Sequence, residues 1–152
     1  METDHRKGDR KSMKYVWTSN LETGHKIVDE QHKALVGTFN ELLDASAKGE
    51  GCKELEHTID FLLDYTKKHF VAEEDLQLKY QYPEYEHHRQ LHQEFTKIMQ
   101  ELCGRLREEG PNMSLLGRVN REMGDWLILH IKIEDAKLVK FIKEKEAQSK
   151  KE

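Results

Sequence analysis

The sequence contains few residues that interrupt helices. Its 152 residues include only 2 prolines and 9 glycines, whereas 36% are Asp, Glu, Lys or Arg, and this composition favours helix. The chain is long enough to bury a core as a single domain. Its 2 cysteines, Cys52 and Cys103, form no CxxC pair, so we expect free thiols rather than a disulfide or a thiolate metal site.

The sequence also lacks the signals of a nucleic-acid-binding or membrane protein. The formal net charge is -4, and basic residues cluster only at the two ends of the chain. No apolar run approaches the roughly 20 residues that a membrane span needs, and no secretory signal is visible. We therefore expect a cytoplasmic protein with no nucleic-acid partner and no membrane span. We expect a monomer, because the surface is highly charged.

The order of polar and apolar segments predicts one helical domain with polar ends. Residues 1–12 are polar and charged, and we expect them to form a disordered extension. Residues 13–147 are predicted to form the bundle, and residues 148–152 a polar tail. Within the bundle, the segment from Tyr15 to Leu21 carries apolar residues without helical periodicity. This segment indicates an extended N-terminal arm that packs on the helices.

Apolar residues recur at alternating spacings of three and four in four segments, which predicts an all-α fold. The predicted helices are Gly24–Lys48, Cys52–Tyr80, a third with Pro83 in its first turn that ends at Glu109, and Met113–Glu146. The residues at these spacings form a stripe along each helix that should face the core. The stripes include Leu76 on the second helix, and Trp126 and Ile133 on the fourth. Because the connections are short, neighbouring helices must be antiparallel, which gives an up-down-up-down four-helix bundle.

Histidines occupy stripe positions where a helical bundle normally has leucine. These are His32, His69, His88, His92 and His130. Two carboxylates, Glu73 and Asp135, follow two of these histidines at about one helical turn. A buried imidazole needs a polar partner, and at about 1.5 Å per residue the antiparallel topology brings these side chains towards one end of the bundle. The pattern therefore predicts a metal centre.

The spacing of the fourth helix leaves one ligand ambiguous. His69 and Glu73 are four residues apart, as are His88 and His92, so each pair shares a helix face. His130 and Asp135 are five apart, and a regular helix would bring Glu134 under His130. Either Glu134 is the ligand, or the helix contains a π-bulge that brings Asp135 into line.

The number of ligands favours two metal ions. Five imidazoles and two carboxylates exceed what a four-coordinate zinc site uses. Two six-coordinate ions need about twelve bonds, whereas these side chains and a bridging oxide or hydroxide supply about eleven. The remaining position, surrounded by apolar residues, would suit a small diatomic ligand.

A ferritin-like carboxylate site is the main structural alternative, because two ExxH motifs are present, at residues 54–57 and 84–87. They begin two successive antiparallel helices and so lie at opposite ends of the bundle, which excludes a shared site. We expect His57, His5 and His25 to be solvated surface residues, and His87 at most to support a ligand.

Four motifs together resemble those of the hemerythrins, in particular the single-domain bacterial ones. They are Asp29-Glu30-Gln31-His32, the segment from His69 to Glu74, the segment from His88 to His92, and Trp126-Leu127-Ile128-Leu129-His130 continuing to Asp135, with Trp17 in the arm as a further match. The resemblance covers about residues 13–145. It implies a four-helix bundle with a non-heme di-iron centre, oxo- or hydroxo-bridged, that binds O2 reversibly.

The resemblance also implies a role for each site residue. His88, His92 and His130 would hold one iron, His32 and His69 the other, and Glu73 and Asp135 would bridge, so the resemblance favours Asp135 over Glu134. Leu127 and Ile131 match positions that line the O2 pocket, and we include Trp126 there. We expect an oxygen carrier or storage protein and not an enzyme, with no catalytic residues. The alternatives are an O2 or redox sensor and a di-iron enzyme acting on peroxide or nitric oxide. Manganese or zinc could replace iron in a recombinant sample.

Overall fold

Four long helices dominate the computed structural model, which describes residues 15–151; within that range there is no strand. Helix α1 spans Lys26–Ala47, α2 spans Gly51–Lys79, and α3 spans Tyr85–Glu109. Helix α4 is one continuous helical run that changes its winding along its length. Its successive segments are α-helical Met113–Arg118, π-helical Val119–Asp125, α-helical Trp126–His130, π-helical Ile131–Asp135 and α-helical Ala136–Lys151.

The predicted all-α antiparallel bundle is confirmed. Helix α1 packs against α2, α2 against α3, and α4 against both α1 and α3. A large apolar cluster, which includes Leu35, Phe39 and Leu62, fills most of the interior, and a small one around Tyr82, Leu138 and Ile142 closes one end. No helix in residues 15–151 is both long enough and apolar enough to cross a membrane. The predicted extension, residues 1–12, lies outside the described residues.

Side-chain contacts define the start of α1. The Asp29 carboxylate accepts hydrogen bonds from the Thr23 N–H at 2.9 Å, the Thr23 hydroxyl at 2.7 Å and the Gly24 N–H at 3.0 Å. His25 Nδ1 accepts from the Val28 N–H at 3.3 Å and so caps the helix. His25 is therefore half-buried and structural, not the solvated surface residue expected from the sequence.

The α2–α3 connection differs from the prediction that Pro83 lies in the first turn of α3. Gln81 has φ 55°, and the Tyr82 N–H donates to the Gln77 carbonyl at 2.8 Å, which is the Schellman arrangement that ends a helix. The Tyr85 N–H then donates to the Tyr82 carbonyl at 3.2 Å. Pro83 sits inside this turn, and α3 begins only at Tyr85.

The fourth helix departs from the expected length and stripe. It continues to Lys151 rather than ending at Glu146, and the lysines of its last turn complement the negative end of the helix dipole. Ile133, predicted in the core, is 51% exposed. A π-helical turn holds about one more residue than an α-helical turn, so the segment Ile131–Asp135 rotates Ile133 outwards. On α2, Leu76 is only partly buried, and Gln77 takes the core position.

The predicted N-terminal arm packs on the bundle without helical structure, in agreement with the sequence. The Asn40 side chain pairs with the Tyr15 backbone: Tyr15 N–H donates to Asn40 Oδ1 at 2.8 Å, and Asn40 Nδ2 donates to Tyr15 O at 2.7 Å. The Tyr15 hydroxyl donates to Asp125 at 2.6 Å, while Trp17 and Leu21 pack on the large apolar cluster.

The arm contacts predict that Asn40→Ala destabilises the protein. The substitution removes both hydrogen bonds that hold the Tyr15 backbone, so we expect the free energy of unfolding to fall by about 1–3 kcal/mol. Urea denaturation followed by circular dichroism measures the change. Asn20→Ala, in an exposed turn of the same arm, is the control. Equal losses in both variants would contradict this role for Asn40.

Candidate metal centre

All four helices contribute to one buried polar layer. His32 comes from α1, His69 and Glu73 from α2, and the remaining members from α3 and α4. Every member is at least 95% buried: His32, His69, Glu73, His88, His92, His130 and Asp135. The members of the layer occupy core-facing positions on their helices. The layer therefore lies within the core, between the large apolar cluster and the small one.

The layer divides into two groups of potential ligand atoms that share both carboxylates. One group contains His88, His92 and His130 with Glu73 and Asp135. The other contains His32 and His69 with the same two carboxylates. Within each group, one atom from every residue lies within 4.8 Å of the others. All seven residues predicted as ligands from the sequence therefore lie together in these two groups.

The fourth helix brings Asp135, and not Glu134, under His130. His130 Nε2 lies 3.1 Å from Asp135 Oδ1, because the π-helical segment Ile131–Asp135 adds a residue to that turn. Glu134 points aside, and its Oε1 lies 3.9 Å from Nε2 of His87. His87 remains largely exposed and outside the layer, as does His57.

The five imidazoles present their Nε2 atoms to the two carboxylates. His32 Nε2 lies 2.8 Å from Asp135 Oδ2, and His88 Nε2 lies 3.0 Å from Asp135 Oδ1. His69 Nε2 and His92 Nε2 lie 3.4 and 3.2 Å from Glu73 Oε1. Donor atoms of both residue types therefore converge on the same small volume.

Two neighbouring polar residues fix the orientation of imidazoles from the outside. His69 Nδ1–H donates to Gln31 Oε1 at 2.6 Å, and His92 Nδ1–H donates to Glu74 Oε2 at 3.4 Å. A proton held on Nδ1 leaves the Nε2 lone pair free to bind a metal. Gln31 and Glu74 were not predicted from the sequence to support ligands, although both lie within the motifs that carry the resemblance.

Many polar atoms of the layer lie close to one another but make no well-aligned hydrogen bond with any of the described residues. They include Nε2 of His32, His69 and His92, and both carboxylate oxygens of Glu73 and of Asp135. Leaving so many buried polar atoms unpaired would cost a folded protein several kcal/mol. Imidazole and carboxylate donors together suit first-row transition metals, so the residues present fit a metal centre.

Burial favours the neutral form of two imidazoles in the layer, His69 and His92. Burial lowers the pKa of His69 to about 3, and its interaction with His32 contributes to the shift. Burial likewise lowers the pKa of His92 to about 2, together with the neighbouring His88 and His130. Both imidazoles are therefore unprotonated near neutral pH and can donate a lone pair to a cation.

The two buried carboxylates respond in opposite ways to the same surroundings. Burial, and then the charge of Asp135, raises the pKa of Glu73 well above its usual range. Burial would also raise the pKa of Asp135, but the close imidazoles of His130, His32 and His88 hold it well below that range. Two carboxylates this close compete for positive charge, which a bound cation would supply to both.

The predicted pocket residues lie in the core beside the layer. Leu127 and Ile131 are fully buried in the large apolar cluster. Trp126 is partly buried and stacks on His130, with ring centroids 4.5 Å apart and an interplanar angle of 11°. Phe70 stacks on His92 at 3.9 Å. Aromatic and aliphatic groups thus cover the imidazoles on the side of the main core.

Comparison with known proteins agrees with this geometry. A family model described as the hemerythrin HHE cation binding domain matches residues 23–142. The chain belongs to the hemerythrin family. A bacteriohemerythrin of Pseudomonas aeruginosa (strain LESB58) is 34% identical over 122 residues, which is 80% of this chain and 76% of the relative. A myohemerythrin of Theromyzon tessulatum is 27% identical over 123 residues, or 81% and 89% of the two chains. A bacteriohemerythrin of Stenotrophomonas maltophilia is 31% identical over 121 residues, or 79% and 76%.

The hemerythrin fold predicts different effects for the two acids on α4. We expect Asp135→Asn to weaken Co²⁺ binding by more than the roughly 10–100-fold that loss of an outer-shell partner costs, because a converging ligand is lost. Glu134→Gln, one residue away, is the matched control and should bind as wild type. Titration followed by the visible absorption of Co²⁺ measures both. A larger loss in Glu134→Gln would show that α4 has α-helical register here.

Proposed function

We propose that this hemerythrin-family protein binds O2 reversibly at two iron ions. His88, His92 and His130 would hold one iron, His32 and His69 the other, and Glu73 and Asp135 would bridge them. The observation that supports this proposal is the presence of two converging ligand groups that share two carboxylates. Two iron ions, when bound, supply the redox chemistry for O2 uptake.

The unequal number of imidazoles supports a single position for a small ligand. Three histidines belong to one ligand group and two to the other. With similar coordination numbers, the ion held by His32 and His69 would keep one position that no side chain of the described residues fills. This asymmetry favours ligand binding at one iron over a purely structural site with closed coordination.

The surroundings of the site support binding rather than turnover. Leu127 and Ile131 are hydrocarbon side chains, and Trp126 and Phe70 cover His130 and His92 with aromatic rings. Such walls limit access of water and protons, which would otherwise promote irreversible oxidation of the centre. The role of the protein is then to orient the imidazoles and keep the site dry.

Reversible O2 uptake is the direct test. An iron-loaded sample, reduced under anaerobic conditions, should gain a visible charge-transfer band with about one O2 per two irons, because only one position is open. The band should disappear under vacuum and return on re-exposure. Rapid irreversible oxidation, or sustained consumption of peroxide or nitric oxide, would contradict a carrier and favour an enzyme.

The pocket assignment predicts that Ile131→Ala accelerates irreversible oxidation. Removing buried methylene and methyl groups beside the layer opens space for water. It should also lower the free energy of unfolding by about 2–5 kcal/mol. Ile59→Ala, equally buried in the large apolar cluster but about 21 Å along α2 from Glu73, should cost similar stability without changing the oxidation rate. Decay of the charge-transfer band in air gives the rates, and equal rates in the two variants would exclude Ile131 from the pocket.

A further inference from the structure

Gln77 is a buried amide for which the described residues provide no side-chain partner. The residue is fully buried, and neither its Oε1 nor its Nε2 makes a hydrogen bond. Its backbone carbonyl accepts a hydrogen bond from the Tyr82 N–H at 2.8 Å at the end of α2. An amide in the interior costs stability unless a partner is supplied, so this side chain is not explained by the folding contacts.

The position of Gln77 points to the metal layer. On α2 it follows Glu73 by one turn and His69 by two, so the three residues share the face that looks into the bundle. Long side chains on a helix lean towards its N-terminus, which carries the Gln77 amide over the turn that holds Glu73. Leu76, the preceding residue, packs instead on the small apolar cluster.

The Glu73 carboxylate lacks a hydrogen-bond donor, which the Gln77 amide could provide. Both of its carboxylate oxygens are buried, and neither makes a well-aligned hydrogen bond, although Nε2 of His69 and Nε2 of His92 lie 3.4 and 3.2 Å from Oε1. A carboxylate that bridges two cations uses one lone pair of each oxygen and leaves another able to accept a hydrogen bond. Among the outer partners described above, Gln31 and Glu74 support imidazoles, and neither is bonded to this carboxylate.

We propose that Gln77 is a positioning residue for the metal centre, whose amide N–H donates a hydrogen bond to the Glu73 carboxylate and holds it in the orientation that binds metal. In the structure the amide and the carboxylate are not paired, and a change of the Gln77 rotamer on metal binding would bring them together. The inference rests on the proposed role of Glu73 as a bridging ligand, but it does not depend on O2 binding. Outer-shell partners of this kind contribute about 10–100-fold to metal affinity.

The proposal predicts opposite effects of Gln77→Met on the metal-bound and metal-free protein. Methionine has nearly the same shape but cannot donate, so Co²⁺ binding should weaken by about 10–100-fold, with a shifted visible absorption band. The thermal unfolding midpoint of the metal-free protein should rise, because an unpaired buried amide has been replaced by an apolar group. A residue that only packs would move affinity and stability in the same direction.

Two further variants keep the test decisive. Thr58→Val changes another buried polar residue of α2, about 22 Å along the helix from Glu73, and should leave Co²⁺ binding unchanged. Gln77→Asn keeps the amide on a shorter stem and should bind with intermediate affinity even if Gln77→Met fails to fold. Binding within twofold of wild type in both Gln77 variants, or parallel losses of affinity and metal-free stability, would overturn the proposal. Failure of wild type to bind O2 reversibly while it binds Co²⁺ would refute only the carrier function.

Discussion

Two carboxylates enclosed in the core, Glu73 and Asp135, impose the central constraint on this molecule. Neither has access to solvent, and both lie within reach of the same imidazoles. Without a cation, Asp135 retains its charge through the imidazoles that surround it, whereas Glu73 becomes the group that favours a proton. Metal binding replaces this unequal arrangement with one in which both can be ionised. Binding and folding are therefore coupled at this layer.

The winding of α4 follows from the same constraint. A regular α-helix places residues i and i+4 on one face, but His130 and Asp135 are five residues apart. The π-helical segment Ile131–Asp135 resolves the conflict and brings Asp135 Oδ1 to 3.1 Å from His130 Nε2. The segment also exposes Ile133, so a large apolar side chain faces solvent as a consequence of ligand placement. The backbone thus gives up regular hydrogen bonding where the polar layer requires it.

The sequence was sufficient to predict the bundle, because its apolar spacing and short connections admit few alternatives. It was also sufficient to select the residues of the polar layer, since histidine and acid at stripe positions are conspicuous. It was insufficient where a local contact overrides the helical period. Ile133 and Pro83 are examples, because the spacing left a π-helical turn as one of two alternatives and gave no indication of a Schellman motif. Gln77 was overlooked since the neighbouring Leu76 fits an apolar stripe better, although its distance of four residues from Glu73 was visible.

The polar layer also determines how stability is distributed along the bundle. On one side lies the large apolar cluster, which joins all four helices and the N-terminal arm through Leu21 and Trp17. On the other side, the small cluster found in residues 15–151 consists of Tyr82, Leu138 and Ile142 with a few partly buried neighbours. Since hydrophobic stabilisation scales with buried apolar area, the large cluster stabilises its end of the bundle without metal, whereas the small end depends on the layer beside it. The small end, where Gln77 and the α2–α3 turn lie, is therefore the part of the bundle in which the smallest buried apolar area opposes local opening.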